Sequence, residues 1–285
     1  MTTPPNVPPE SASEDRAFGR LLKFWRGVHG VSQEQLALSL DSSTRHISFM
    51  ENGKAQPSKE MVENIARVLA LGGRDTSQLL IAAGYVPAAQ PVDFQAPELR
   101  WLRKAMTLTL RALDPFPTTV SDAAGNILMV NRGWVGCYSR SIPRAELDQV
   151  TNHFDFLFNS KDRELTDAWL DTLSVFLMSL QQSALLSDDR ACLDKLQRLQ
   201  SHPDVPADWR QRAAKLEPMA SYRVQVRVAG QLRPFYNVSQ MVGAVGPAAY
   251  VSEPRLTIST LYPDDESLDL SNLIQEPLEH ALLLY

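Results

Sequence analysis

Residues 31–71 read VSQEQLALSLDSSTRHISFMENGKAQPSKEMVENIARVLAL, and this stretch decides the fold of the first third of the chain. Ser32 followed three residues later by Gln35 has the form of a capping box and predicts a short helix with Leu36, Ala37 and Leu40 on its inner face. Asp41-Ser42 breaks it. Ser43 or Thr44 begins a second helix whose apolar face is Ile47 and Met50 with Phe49 beside it, and Asn52-Gly53 stops that helix in the manner of a left-handed C-cap. Pro57-Ser58 caps a third, with Ile65, Val68 and Leu69 inward. Upstream, Phe18, Leu21, Leu22 and Trp25 recur at helical spacing until His29-Gly30; downstream, Thr76 to Ala83 forms a last helix that closes at Gly84. Five short helices within residues 16–87 predict a compact all-α unit.

A short helix, a tight turn and a second helix with a small, polar outer side is the layout of a helix-turn-helix. That outer side is Ser43, Thr44, Arg45 and Ser48. Entering a major groove by its N-terminal end, the helix brings Thr44 and Arg45 to base edges, where arginine suits a guanine and a threonine methyl suits a thymine methyl. Gln33 at one helix start, with Asn52 and Lys54 past the end of the next, is placed to hold phosphates. A merely solvated helix shows the same polar face, so the pattern by itself leaves both readings open. Residues 16–74 carry nine basic and five acidic side chains, a local charge of +4, whereas the whole chain carries −5. An acidic whole thus does not exclude a polyanion partner for one part of it.

With 285 residues, 44% hydrophobic, the chain is long enough for two cores. Residues 1–15 hold five Pro or Asn breakers and little to bury, which predicts a disordered tail. The proline- and alanine-rich run 88–97 predicts a linker, and 98–285 a second domain. In that domain the pattern predicts a helix over Glu98 to Leu113 and a hairpin, Thr118 to Val120 and Ile127 to Val130 around Asp122-Ala-Ala-Gly125-Asn126. Helices over Lys161 to Leu186, Arg190 to Gln200 and Asp208 to Leu216 follow, then strands around Tyr222 to Val228, Phe235 to Met241 and Leu256 to Leu261. The fold class is therefore multi-domain, a five-helix all-α unit followed by an α+β domain.

Two cysteines, Cys137 and Cys192, form no disulfide framework and no zinc spacing, which predicts a reducing, cytoplasmic setting. No run approaches the length of a membrane span, and the N-terminus lacks the pattern of a secretion signal. GxSxG, GxxxxGK and HExxH are all missing, and the five histidines are scattered singly. We therefore expect no enzymatic activity, no catalytic residue, no cofactor and no bound metal. The second domain is rich in aromatics, which either fill an ordinary core or line an apolar pocket.

Two resemblances bear on these alternatives. Residues 31–71 resemble the XRE/Cro family of repressor-type helix-turn-helix domains in Ser32-Gln33-Glu34, Leu36-Ala37, Ile47-Ser48, Glu51-Asn52-Gly53, Pro57-Ser58 and Ala66. Asp41-Ser42 stands where that family often has a glycine and an apolar residue, and aspartate tolerates the left-handed backbone such a turn needs. The ordered series Leu79-Leu80 through Pro87, Leu113-Asp-Pro115-Phe-Pro117, Gly125 to Asn131, Asn152 to Phe158, Asp167-Ala-Trp169 and Leu256 to Tyr262 is similar to the MmyB-like transcription regulators.

The resemblance implies sequence-specific binding of double-stranded DNA and a PAS-like C-terminal module that takes a small apolar effector such as a fatty acid. On that reading Phe116, Val130, Trp134, Phe154, Phe158 and Phe176 converge on the effector, with Asn131, Arg132 or Tyr236 fixing its head group. A single helix-turn-helix makes few contacts, so a homodimer spanning half-sites about 34 Å apart is expected, with no membrane partner. The alternative is a DNA-binding regulator whose C-terminal domain dimerises or recruits another protein and holds no small ligand.

Overall fold

The computed structural model describes residues 11–87, 92–159, 166–187, 190–216, 221–243 and 254–285. Contacts divide them into two compact units, one on each side of residues 88–91.

The first unit contains α1 (Ser11–Val28), α2 (Gln33–Ser39), α3 (Thr44–Glu51), α4 (Lys59–Val68) and α5 (Gly73–Ala82). The capping box forms: the Ser32 amide donates to Gln35 Oε1 at 2.8 Å and the Gln35 amide to Ser32 Oγ at 3.0 Å. Ser43 and Ser58 cap α3 and α4 one way only, their side chains accepting from the His46 and Met61 amides. Leu22, Leu36, Ile47, Met50, Val62, Ile65 and Leu79 are fully buried together, which is the inner face the spacing predicts, extended to α1 and α5. Helix α1 starts at Ser11, inside the stretch expected to be tail. The prolines of that stretch stop at Pro9, ahead of the helix.

The second unit opens with Val92 and Phe94, and Phe94 is buried in its core. The expected linker therefore ends earlier than residue 97, because one aromatic among prolines and alanines vanishes in an average composition yet anchors the chain. After a 3-10 turn come α6 (Arg100–Ala112), β1 (Thr118–Asp122) and β2 (Ile127–Val130), then α7 (Arg132–Tyr138), α8 (Arg144–Leu147) and α9 (His153–Asn159). The expected hairpin forms; Asp122 Oδ1 accepts from the Ala124 and Asn126 amides at 2.9 Å, and Gly125 takes φ +80°. Then follow α10 (Asp167–Ser187), α11 (Arg190–Gln200), α12 (Trp209–Lys215), β3 (Ser221–Val228), β4 (Gln231–Val242) and β5 (Leu256–Pro263). The expected first turn of α10, 161–165, lies outside the described residues.

All strand pairs are antiparallel, in the order β2-β1-β5-β4-β3. The register sets Thr119 opposite Ser259, Asn237 opposite Leu261, and Val224 opposite Phe235. One face of the sheet, with Val120, Met129, Leu256 and Ile258, packs on Phe94 and on Met106 and Leu110 of α6. The other face, with Val224, Val226, Val228 and Phe235, packs under Trp169, Leu173 and Leu177 of α10, with Leu196 and Leu199 of α11 and Trp209 of α12. Arg212 of α12 ties that helix to α10 by ion pairs to Asp171 at 3.0 Å and Asp167 at 3.2 Å.

Two glycines permit contacts that no side chain allows. A Cβ on Gly136 of α7 would lie 1.8 Å from the Leu273 carbonyl oxygen, and one on Gly19 of α1 would lie 2.4 Å from that of Glu51. Gly27, in the same helix as Gly19, has nothing within 4 Å. Gly19→Ala should therefore destabilise the first unit by about 1 to 3 kcal/mol through overpacking. Gly27→Ala should be neutral or stabilising by up to about 1 kcal/mol through helix propensity. Thermal unfolding of both variants, followed by circular dichroism, checks the contrast.

Candidate functional site

Helices α2 and α3 are joined through Leu40 to Ser43, and Asp41 takes φ +48°, the left-handed conformation its sequence context implies. The N-terminal end of α3 presents Ser43, Thr44 and Arg45 as exposed side chains, with Ser48 half-buried beside them and Asn52 and Lys54 exposed beyond the far end. The Arg45 guanidinium lies 5.1 Å from the Phe49 ring centroid, one turn along the same helix.

The orientation of α3 is fixed from beneath. The Glu51 side chain is 3% exposed and accepts from Arg26 Nε and from Gln33 Nε2, both at 2.6 Å, so one carboxylate ties α3 to α1 and α2. The Gln33 side chain is thus committed inside the protein, and the part of Gln33 open to a phosphate is its backbone at the start of α2. Asn52 likewise donates to the Ser48 carbonyl oxygen at 2.7 Å.

In the second unit, about 780 Å³ of atom-free space, part of it open to solvent, lies between the helix-covered face of the sheet and the elements above it. Trp134 and Tyr138 of α7, Phe156 and Leu157 of α9, Trp169 of α10 and Ile142 form its apolar wall. Leu261, Val224 and Val226 continue that wall on the sheet, where Thr119, Asn237 and Ser259 add polar groups, and His153 and Ser141 stand at the sides. Trp134, Tyr138 and Phe156 pack on one another with centroids 4.8–5.8 Å apart.

Of the nine side chains expected to meet an effector, Trp134 lines this space and the other eight do not. Val130 and Phe158 are fully buried in the cores beside it. Phe116 packs on Tyr262 with centroids 5.0 Å apart, and Phe154 on Phe176 at 5.8 Å. Asn131 caps α7: its Oδ1 accepts from the Thr118 and Trp134 amides at 2.9 Å, and its Nδ2 donates to the Phe116 carbonyl oxygen at 2.8 Å. Asn131 is fully buried, so its amide is out of reach of a head group. Arg132 donates to the Ile274 carbonyl oxygen. Tyr236 faces the opposite side of the sheet, where its hydroxyl accepts from Arg223 Nη2 at 2.7 Å. Its neighbour Asn237 occupies the cavity face, as the period of a strand requires.

A family model described as "MmyB-like transcription regulator ligand binding domain" matches residues 102–268, more than half of the chain. The chain belongs to the MmyB-like transcription regulators. A second model, "Helix-turn-helix", matches residues 22–73. This MmyB-like regulator therefore joins an N-terminal DNA-binding helix-turn-helix to a C-terminal ligand-binding domain, an all-α unit before an α+β one. It is also similar to ComR from Streptococcus suis, at 16% identity over 67% of this chain and 71% of that one. The TM-score of 0.22 is too low for that likeness to carry a structural argument. None of the curated proteins matches the chain. No helix among the described residues is long and apolar enough to cross a membrane, and these residues hold no cluster of three or more potential metal ligands.

Leu157 and the sheet residues Thr119, Asn237 and Ser259 escaped the sequence reading of the cavity, in which Tyr138 and Phe156 counted among the second domain's aromatics without being placed at the effector. The signal for the last three was present, since period-two alternation puts Phe235 and Asn237 on one face. His153, read as one of five scattered histidines, also lines the space, and burial pushes its imidazole down to about 4. It is neutral at physiological pH. Between roughly pH 6.5 and 4 the unfolded chain binds this proton and the folded one does not, so acid destabilises the second unit across that window and the stability is fully present above it. His153→Phe should flatten the pH dependence of urea unfolding between pH 6.5 and 4, read by tryptophan fluorescence. An unchanged slope would remove His153 from the account.

Proposed function

We propose that this MmyB-like regulator reads a specific duplex through Ser43, Thr44, Arg45 and Ser48, and that an apolar effector of the fatty-acid type, held in the cavity of its PAS-like domain, modulates that binding. The observation that carries the reading is the pairing of an exposed, rigidly seated α3 N-terminus in one unit with an aromatic-walled cavity in the other. Asn52, Lys54 and the start of α2 at Gln33 hold the phosphate backbone, and such contacts position the helix without carrying sequence. The protein acts in the cytoplasm as a homodimer on two half-sites and performs no catalysis. The five-stranded antiparallel sheet with helices inserted between β2 and β3 supports the PAS-like description.

An acyl chain suits the wall of the cavity, because each methylene taken out of water contributes about 0.8 kcal/mol. The effector changes DNA affinity only by binding two arrangements of the protein unequally. The alternative, a C-terminal domain devoted to protein contacts, is disfavoured by the same cavity, since a pure interaction module needs a filled core and an apolar outer patch.

Arg45→Ala should lower discrimination between the cognate and a scrambled duplex by about 1 to 3 kcal/mol, as loss of a base contact predicts. Lys54→Ala should weaken both duplexes alike and reduce the salt slope by about one. Fluorescence anisotropy at two salt concentrations separates the two, and equal losses on both duplexes for Arg45→Ala would exclude it from base reading. For the effector, mass spectrometry of lipid extracted from the purified protein should find acyl compounds, and added ones should raise Tm in step with chain length. No extracted lipid and no shift would overturn that part.

A further inference from the structure

Helix α3 carries one aromatic side chain that the core of its unit does not use. Ile47 and Met50 are fully buried in that core, whereas Phe49 is half-buried and is not one of the side chains that pack on it among the described residues. Phe49 meets Arg45 instead: the guanidinium carbon stands over the ring, 5.1 Å from its centroid. Arg45, Ser48, Phe49 and Asn52 are spaced i, i+3, i+4 and i+7, so they share one face of the helix. An aromatic ring holds a guanidinium by its flat face, while the five N–H donors of an arginine lie in its plane. Stacking therefore orders the Arg45 side chain without using its donors, and none of them is hydrogen-bonded to another described residue. A side chain ordered in advance gives up less rotamer freedom on binding than a free one.

We propose that Phe49 is a further specificity-determining residue of the DNA-binding unit: its ring contacts the 5-methyl group of a thymine in the major groove and seats the Arg45 guanidinium on a nearby guanine. Toward the thymine it acts by contact, and toward the guanine as a positioning residue. This rests on the reading of α3 as the helix that enters the groove. Phenylalanine against the thymine methyl, and arginine against guanine O6 and N7, are pairings that the major groove favours. Side chains one turn apart on a helix have Cβ atoms about 5 to 6 Å apart. Successive base pairs rise by about 3.4 Å. The guanine and the thymine therefore lie within about two base pairs of each other, on the same strand or on opposite ones. The half-burial of Phe49 fits both tasks, because the ring must stay partly open to reach a methyl group and firmly seated to hold a cation.

The full chain first selects its duplex from a random pool, and binding is then followed by fluorescence anisotropy on modified copies of that duplex. Exchanging the thymine for deoxyuridine removes the methyl group alone, which should weaken the wild type about four-fold and Phe49→Ala by less than about two-fold. Exchanging the guanine for 7-deazaguanine removes the N7 acceptor, which should weaken the wild type about five-fold or more. Phe49→Leu keeps an apolar contact but not the stack, so it should retain the response to deoxyuridine and lose most of the response to 7-deazaguanine. Phe49→Tyr keeps the ring and should show both. Should Phe49→Ala fail to fold, the leucine and tyrosine variants still separate contact from stacking. A wild type indifferent to deoxyuridine, or a selected duplex with no thymine near its guanine, would overturn the methyl contact. A full response of Phe49→Leu to 7-deazaguanine would overturn the positioning role. A pool from which the chain selects no duplex would overturn the reading of α3 itself.

Discussion

The antiparallel pleat governs the whole second unit. Because successive side chains leave a strand on opposite sides, each of the five strands serves two different layers, and a shift of one residue would exchange them. Val120, Ile258 and Met129 are committed to α6 and Phe94; Thr119, Ser259 and Val130 are committed to the layer formed by α7 to α12. The cavity exists because the second layer does not fully close on the floor that this register presents. Polar residues at Thr119, Asn237 and Ser259 cannot make a dry, filled contact with Trp134 and Trp169, so the space between them stays open.

The first unit depends on a comparable commitment at one carboxylate. Glu51 lies at the end of α3, almost fully covered, and draws its two donors from α1 and α2. A buried charge is tolerable only where donors meet it, so the hydrogen bonds from Arg26 and Gln33 hold three helices in one arrangement. Gly19 reinforces this by letting the α1 backbone approach the same turn of α3. The exposed end of α3 is thus presented by a scaffold in which the Thr44 and Arg45 side chains make no hydrogen bond to another described residue.

Legibility in the sequence follows from how local the determinants are. The helix-turn-helix was readable almost residue by residue, since Ser32, Gln35, Ser43, Asp41 and Gly53 act on their own turn of backbone. The hairpin at Asp122 to Asn126 was readable for the same reason. Helices α7, α8 and α9 were not, because they are seven, four and seven residues long and owe their existence to packing. Nothing in Arg132-Gly-Trp-Val-Gly-Cys-Tyr138 favours a helix locally; its two glycines are there for close approach to Pro115 and Leu273. The cavity was the least legible part. Counting aromatics identified Trp134, yet it also selected Phe158, Phe154 and Phe176, which are core, and it passed over Asn237 in favour of its neighbour Tyr236.

That pattern of success and failure has a physical origin that extends to how the regulator works. Seven-residue helices have little stability of their own, so α7 and α9 take their positions from what lies beneath them. Both carry cavity wall: Trp134 and Tyr138 on the first, Phe156 and Leu157 on the second. Filling the cavity changes the surface on which these two helices rest, whereas the strands below are held by continuous hydrogen-bonded ladders. An effector can favour one arrangement only through differential contacts, and part of the cavity wall stands on short helices that do not hold a position unaided. The segment that the sequence could not specify is therefore the one that a ligand is best placed to specify instead.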